Sequence, residues 1–172
     1  MAEPTPSQTV GPFFSFGLCS DEKAALVPAD TPEAIRITGR VLDGAGAPVP
    51  DAMVEIWQAD AEGRYRPDFG WGRSGCDAEG RYSLVTCKPG RVPDGNGGLQ
   101  APHLSLLVFA RGLLKPVRTR LYFPGEEANA DDRVLAAVPE PERSTLVARP
   151  HAGGLELDIN LQGDEQTTFF TV

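Results

Sequence analysis

Histidine, tyrosine and cysteine are scarce in this sequence: its 172 residues include two His, three Tyr and three Cys. Cys19, Cys76 and Cys87 are an odd number without Cys-x-x-Cys spacing, which argues against a disulfide framework and against a structural zinc site. Three reduced cysteines are typical of a cytoplasmic protein, so we expect a cytoplasmic location. The shortage of His and Tyr limits every catalytic or metal site that the chain could form.

Long apolar runs and excess positive charge are also lacking. No stretch of 18 or more apolar residues is present, and residues 1–7 contain no basic segment leading into an apolar one. We therefore expect neither a membrane span nor a secretory signal. With 16 Lys and Arg against 24 Asp and Glu, the formal net charge is −8. An acidic chain lacks the cationic field that attracts phosphates, so nucleic acid is not an expected partner.

Glycine and proline, in contrast, are abundant. The chain has 19 Gly and 16 Pro, about a fifth of its residues where roughly 12% is usual. A helical bundle does not accommodate so many helix breakers. The length suits one domain with a substantial core, and a composition that is 41% hydrophobic excludes a disordered tail.

Segments of alternating or continuous hydrophobicity predict an all-β fold, a β-sandwich of about eight strands. The predicted strands are 35–41, 52–57, 80–86, 104–109, 117–123, 155–161 and 167–172. Of these, 104–109 is nearly all apolar, which is typical of a central strand buried on both faces. One short helix is predicted over 129–138, with Pro139 just past its end.

The amino-terminal residues predict an extended arm, residues 1–34, followed by the sandwich at 35–172. Pro4, Pro6 and Pro12 oppose regular structure in this arm. Its phenylalanines cannot form a core of their own, so we expect the arm to pack on its own domain or on a partner.

Two histidines are the candidate general bases and metal ligands, His103 and His151. No Gly-x-Ser-x-Gly motif accompanies them, which disfavours a Ser-His-Asp triad. His103 and Ser105 would share one face of a strand, which is half of a chelating His-x-His pair, but Ser105 is a poor ligand. Arg133 has two open interpretations, a surface ion pair or a bidentate dock for a carboxylate.

An ordered series of motifs resembles the intradiol ring-cleaving dioxygenases. The segments are GRVLD at 39–43, GAPVPDA at 46–52, EIWQAD at 55–60, GRY at 63–65, DAEGRYS at 77–83, KPG at 88–90, APH at 101–103 and RLYFPG at 120–125. The arm segment TPSQTVGPFF at 5–14 is similar to the protocatechuate-cleaving branch of this family. The resemblance covers most of the chain.

That family cleaves catechols between their hydroxyls with Fe(III) held by two Tyr and two His, and this chain departs from the pattern at the ligands. Ser105 replaces the second histidine after His103. Val92 lies where a ligand Tyr follows the Lys-Pro-Gly turn, and residues 66–72 contain no Tyr. Gln100 replaces the arginine expected before the Pro-x-His step. The resemblance therefore implies no metal ligand set in this chain.

What the resemblance implies instead is an iron-free, alpha-type subunit of a hetero-oligomer that is inactive alone and has no catalytic residue of its own. A homologous beta-type subunit would hold the Fe(III), and the pair would convert protocatechuate and O2 to 3-carboxy-cis,cis-muconate. By the same resemblance, Thr9, Gly11, Pro12 and Arg133 would line the substrate pocket, with Arg133 receiving the substrate carboxylate.

Two alternatives remain at this point. A strand–Asp-x-x-Gly-x-Pro–strand unit also occurs in transthyretin-like β-sandwich domains, so residues 39–57 alone fit a non-enzymatic binding module. An independent intradiol enzyme with relocated ligands is numerically possible with two His and three Tyr, although their positions do not support it.

Overall fold

Short strands dominate the part of the chain that the computed structural model describes, residues 4–11 and 13–171. The strands are β1 Ala34–Leu42, β2 Met53–Trp57, β3 Trp71–Gly75, β4 Arg81–Cys87, β5 Val92–Pro93, β6 Leu99–Gln100, β7 His103–Phe109, β8 Val117–Tyr122, β9 Arg149–His151, β10 Gly154–Glu156 and β11 Ile159–Asn160. The α-helices are α1 Phe14–Leu18, α2 Asp21–Ala24, α3 Arg133–Ala136 and α4 Glu140–Arg143, with a 3₁₀ helix at Glu127–Asp131.

Two sheets face each other across the main core. In the first, β1 pairs antiparallel with β4 along one edge and parallel with β10 and β11 along the other, and β9 pairs with β10. The second is antiparallel with the order β3-β2-β7-β8. Ile37 and Leu84 of the first sheet and Leu104 and Leu106 of the second are fully buried in one cluster. The predicted β-sandwich is confirmed.

A second, smaller core attaches the segment after β8 to the sandwich. Tyr122, Leu135 and Leu146 are buried in it together with Ala101, the residue two positions before β7. This cluster fixes α3 beside the amino-terminal end of β7, which is the region of the candidate site.

The predicted helix over 129–138 is wrong as one continuous element. The 3₁₀ helix ends at Asp131 and α3 begins at Arg133, because Asp132 between them has an extended backbone (φ −74°, ψ 115°). Its side chain accepts hydrogen bonds from the amides of Val134 and Leu135, as an N-cap residue does.

Other strand predictions differ in detail. The predicted strand over 155–161 is divided into β10 and β11, because Asp158 accepts a hydrogen bond from the backbone N–H of Arg40 and interrupts the ladder. The segment 167–172 forms no strand within the described residues, and Phe170 makes only an isolated bridge to Arg118. β3 was not predicted, and the outward residues Ser105, Leu107 and Phe109 of β7 are half-buried rather than fully buried.

The amino-terminal arm is not wholly extended, since it contains α1 and α2. It packs on the sandwich, because Leu26 donates its N–H to the carbonyl of Val85 and α2 contacts β3. Phe14 is 8% exposed, whereas Phe13 and Phe16 are 79% and 89% exposed. Within the described ranges, no helix has the length and apolar character needed to cross a membrane.

Candidate functional site

His103 and Ser105 lie on the outer face of the four-stranded sheet, at the amino-terminal end of β7. His103 is 5% exposed, and its Nδ1 lies 2.8 Å from the carbonyl oxygen of Ala101. Because a carbonyl only accepts, Nδ1 carries the proton in this contact. Burial, together with the positive charge of Arg120, lowers the pKa of His103 from 6.5 to about 4. His103 is therefore a neutral imidazole at neutral pH.

A guanidinium lies next to this histidine. Arg120 on β8 donates through Nη1 to the Gln100 side-chain oxygen (2.8 Å) and to the Tyr122 hydroxyl (3.1 Å). The arginine that the family resemblance places at residue 100 is thus replaced by a glutamine that accepts a hydrogen bond from Arg120 of β8. Sequence reasoning missed Arg120, because only the pairing of β7 with β8 brings it here.

Asp132 connects α3 to this region and was also missed. It is fully buried, and its carboxylate accepts from the backbone N–H groups of Ala101 (2.7 Å), Val134 and Leu135 (both 2.9 Å) and from the Tyr122 hydroxyl (3.2 Å). Four donors compensate the cost of burying the charge. An Asp before an apolar helical turn is a signal for the cap, but its two bonds to the sheet have no sequence signal.

The residues at the family's iron-ligand positions do not fit Fe(III) in this chain. Val92 is buried and offers no donor, and Ser105 is a neutral hydroxyl. The positive charge of Arg120, which already disfavours a proton on His103, also disfavours a metal cation there. Among the described residues, no group of three or more His, Cys, Asp and Glu side chains could hold a metal ion.

The tyrosines do not supply alternative ligands. Tyr82 is buried and donates to the Leu157 carbonyl oxygen (2.7 Å), and burial raises its pKa. Tyr122 is also buried, and burial raises its pKa to about 12. Tyr65 stacks on Trp57, with 5.9 Å between the ring centroids, and burial raises its pKa. Raised pKa values oppose the phenolate form that binds a ferric ion.

Thr9 of the arm lies at the other end of β7. Thr9 accepts a hydrogen bond at its hydroxyl from the backbone N–H of Gly112 (3.2 Å). Gly11 has φ +75°, a conformation that glycine adopts without strain. Pro12 lies outside the described residues. The structure thus brings Thr9 next to the loop that follows β7.

Arg133 does not lie with the arm. It is 69% exposed in its side chain and forms an ion pair with Asp94 at 3.8 Å, beside the amino-terminal end of β7. The strand alone separates its two ends by about 20 Å, so one copy of the chain does not place Thr9 and Arg133 in one small pocket. The arginine next to Gly112 is Arg111, which is 59% exposed and ion-paired with Asp51.

Comparison with known proteins places this geometry in a family. The sequence model of the dioxygenase family matches residues 9–163. The chain is 40% identical to the protocatechuate 3,4-dioxygenase alpha chain of Burkholderia cepacia, over 98% of this chain and 97% of that one. It is 39% identical to the beta chain from the same organism, over 78% of this chain and 67% of that one.

A solved structure has the same architecture. The dioxygenase domain of a carbohydrate-binding fusion protein from Streptomyces sp. SirexAA-E superposes with a TM-score of 0.61 at 28% identity, over 92% of this chain and 96% of that one. The similarity extends well beyond residues 39–57, so it favours a dioxygenase over the transthyretin-like binding module. The resemblance read from the sequence motifs is confirmed: the chain belongs to the intradiol ring-cleaving dioxygenase family.

Proposed function

We propose that this chain is the iron-free, alpha-type subunit of a protocatechuate 3,4-dioxygenase and that a homologous beta-type chain holds the Fe(III). The observation that carries the proposal is that a dioxygenase fold has Ser105 and Val92 at two of the family's iron-ligand positions. In addition, the Arg120 guanidinium lies close to His103, the remaining ligand candidate. In this proposal the assembly would convert protocatechuate and O2 to 3-carboxy-cis,cis-muconate, and the partner's Fe(III), when bound, would supply the activation of the catechol.

The arm is the first candidate for the partner interface. Phe13 and Phe16, three residues apart, are 79% and 89% exposed, and large exposed apolar side chains are typical of surfaces that another chain covers. In this proposal the neighbouring residues Thr9, Gly11 and Pro12 complete the substrate pocket from the side opposite the iron. Holding a substrate in a reactive geometry contributes strongly to rate, so a subunit without iron is still required for turnover.

The substrate carboxylate requires a guanidinium at this pocket. Arg133 is the candidate from the family resemblance, but it reaches a pocket built on Thr9 only from a second copy of the chain. Arg111 lies beside Thr9 in the same copy, and its Asp51 partner is the one carboxylate within ion-pair distance of it in the described residues. We therefore propose Arg111 as the docking residue of the arm pocket, with Arg133 as the alternative.

Iron content and turnover test the subunit assignment. The chain purified alone is expected to contain far less than one iron per chain and to leave protocatechuate uncleaved. The same chain purified with a beta-type partner is expected to carry iron and to consume O2. Tightly bound stoichiometric iron with ring cleavage by the chain alone would overturn the proposal.

Substrate selectivity tests the docking residue in the complex with the partner. Arg111→Ala is expected to raise KM for protocatechuate by about tenfold, which corresponds to about 1.4 kcal/mol of lost carboxylate binding, and to leave KM for catechol unchanged. Arg36→Ala, on the other sheet, is the matched control. A selective loss in Arg133→Ala instead would assign docking to Arg133, and equal losses on both substrates would mean a structural role.

A further inference from the structure

A groove beside the amino-terminal end of β7 is separate from the arm pocket formed around Thr9. It has a volume of about 520 Å³, which is within the usual range for small-molecule sites. Two arginines line it, Arg120 and Arg133, together with Asp94. Two guanidiniums and one carboxylate make the groove locally positive in a chain whose formal net charge is −8. This local positive charge favours an anionic ligand.

Arg120 is the central group of this groove. It is half-buried, and no carboxylate in the described part of the chain lies within ion-pair distance of it. Its guanidinium carbon lies 5.8 Å from the ring centroid of Phe170, a cation–π distance. Gln100 and Tyr122 both accept from Nη1, so these two hydrogen bonds leave the Nε and Nη2 edge of the guanidinium for the two oxygens of a carboxylate.

The acid in the groove is already compensated. Asp94 accepts from the backbone N–H groups of Asn96 (2.8 Å) and Gly98 (2.9 Å), and these bonds hold its pKa below the ordinary value. It also pairs with Arg133 at 3.8 Å. Asp132 is connected to Arg120 through the Tyr122 hydroxyl, and its carboxylate already accepts hydrogen bonds from four donors. Neither carboxylate neutralises Arg120 directly.

The apolar walls of the groove indicate which chemical group the anionic ligand carries besides its negative charge. Apolar groups line the groove on the side of α3 and the carboxy-terminal segment: Val134, Ala137, Val138, Pro139 and Phe170. A phosphate or sulfate would leave these walls without a partner, whereas an organic acid buries its apolar body against them. The aromatic ring of Phe170 suits a flat ligand.

We propose that this groove is a second binding site, for a small free aromatic monocarboxylate, with Arg120 as its main ligand and Arg133 as an additional one. The site is separate from the arm pocket, which lies past the opposite end of β7. It does not rest on the proposed function, because it needs neither iron nor turnover.

Binding of 4-fluorobenzoate, followed by fluorine NMR on the full chain in its purified complex, tests the site. The wild-type chain is expected to bind the probe saturably, and the neutral 4-fluorobenzamide at least tenfold more weakly. Arg120→Met keeps a long apolar stem against Phe170 and is expected to weaken 4-fluorobenzoate binding at least tenfold. Arg118→Met, at an exposed residue two positions away on the same face of β8, is the matched control and is expected to change binding less than twofold.

Arg133→Met provides a second variant, since an exposed side chain is replaced with little effect on folding. This variant is expected to bind 4-fluorobenzoate about threefold more weakly. Thermal melting followed by circular dichroism verifies that each variant is folded. The proposal is overturned by the absence of saturable binding, by equal binding of the amide, or by Arg120→Met binding like Arg118→Met. If Arg120→Met does not fold, the amide comparison and Arg133→Met decide the matter.

Discussion

Replacing Asp132 by Ala is the most informative single perturbation of this fold. The carboxylate is fully buried and accepts from four donors, two at the start of α3 and two on the sheet side, Ala101 N–H and the Tyr122 hydroxyl. Loss of the helix cap costs about 1 kcal/mol. Each of the two buried donors left on the sheet side costs about 1–2 kcal/mol. The expected loss in free energy of unfolding is therefore about 4 kcal/mol.

Urea and thermal unfolding of the purified complex measure this loss. For a chain of this length, about 4 kcal/mol corresponds to a fall in Tm of about 10 °C. Asp132→Asn retains one carbonyl oxygen for the cap but brings an amide N–H group towards the donor of Ala101, so we expect a loss of about 2 kcal/mol. Asp131→Ala, the exposed neighbour, is the control and is expected to change stability by less than about 0.5 kcal/mol.

The result that refutes this reasoning is a loss below about 1 kcal/mol in Asp132→Ala. That outcome would mean that water or a relaxed backbone satisfies the four donors, so that Asp132 does not join α3 to the sheet. A loss in Asp132→Ala that equals the loss in Asp131→Ala would lead to the same conclusion.

Two further predictions concern stability. Folded His103 binds a proton only near pH 4 and the unfolded residue near pH 6.5, so stability is expected to fall as the pH drops from 6.5 to 4, by about 3 kcal/mol in total. His103→Gln should flatten this part of the pH–stability curve, whereas the control His151→Gln, at an exposed site, should not. Equal slopes in the wild type and both variants would contradict the role of His103. In Gly39→Ala the added Cβ would overlap the carbonyl oxygen of Leu157, so the free energy of unfolding measured in urea should fall by about 3 kcal/mol. The control Gly17→Ala places its Cβ in open space. Similar stability of the two variants would refute the clash.

The strands illustrate how far local patterns predict this fold. Residues 35–41 alternate strictly and form β1, because one face of the strand is buried and the other is solvated. The segment 155–161 alternates as well, yet Asp158 divides it by binding the Arg40 amide. β3 contains Gly72 and Gly75 and has no clear alternation, and it becomes a strand by pairing with β2. Pairing partners of this kind have no signal in the segment itself.

The candidate site shows the same division. The lack of His and Tyr at residue 105, at residue 92 and over residues 66–72 is a property of residue type, and the sequence shows it directly. The position of Arg120 beside His103 depends on the register of β7 and β8, which pairs Ser105 with Arg120. Which arginine lies near the arm depends on its position relative to the two ends of β7. Arg111 directly precedes Gly112, whose N–H binds the Thr9 hydroxyl, whereas Arg133 lies beside the opposite end of the strand.

By itself, the sequence determined the β-rich class and the family, because composition, alternation and ordered motifs are properties of the chain read in order. It also predicted that the chain lacks a complete iron ligand set. Only the tertiary structure decided which charges lie together. The strand order β3-β2-β7-β8 brings residues from distant segments into contact and places Thr9 and Arg133 at opposite ends of one strand. Electrostatic interactions depend on distance in space, so a family-derived role for a single arginine requires the fold before it can be assigned.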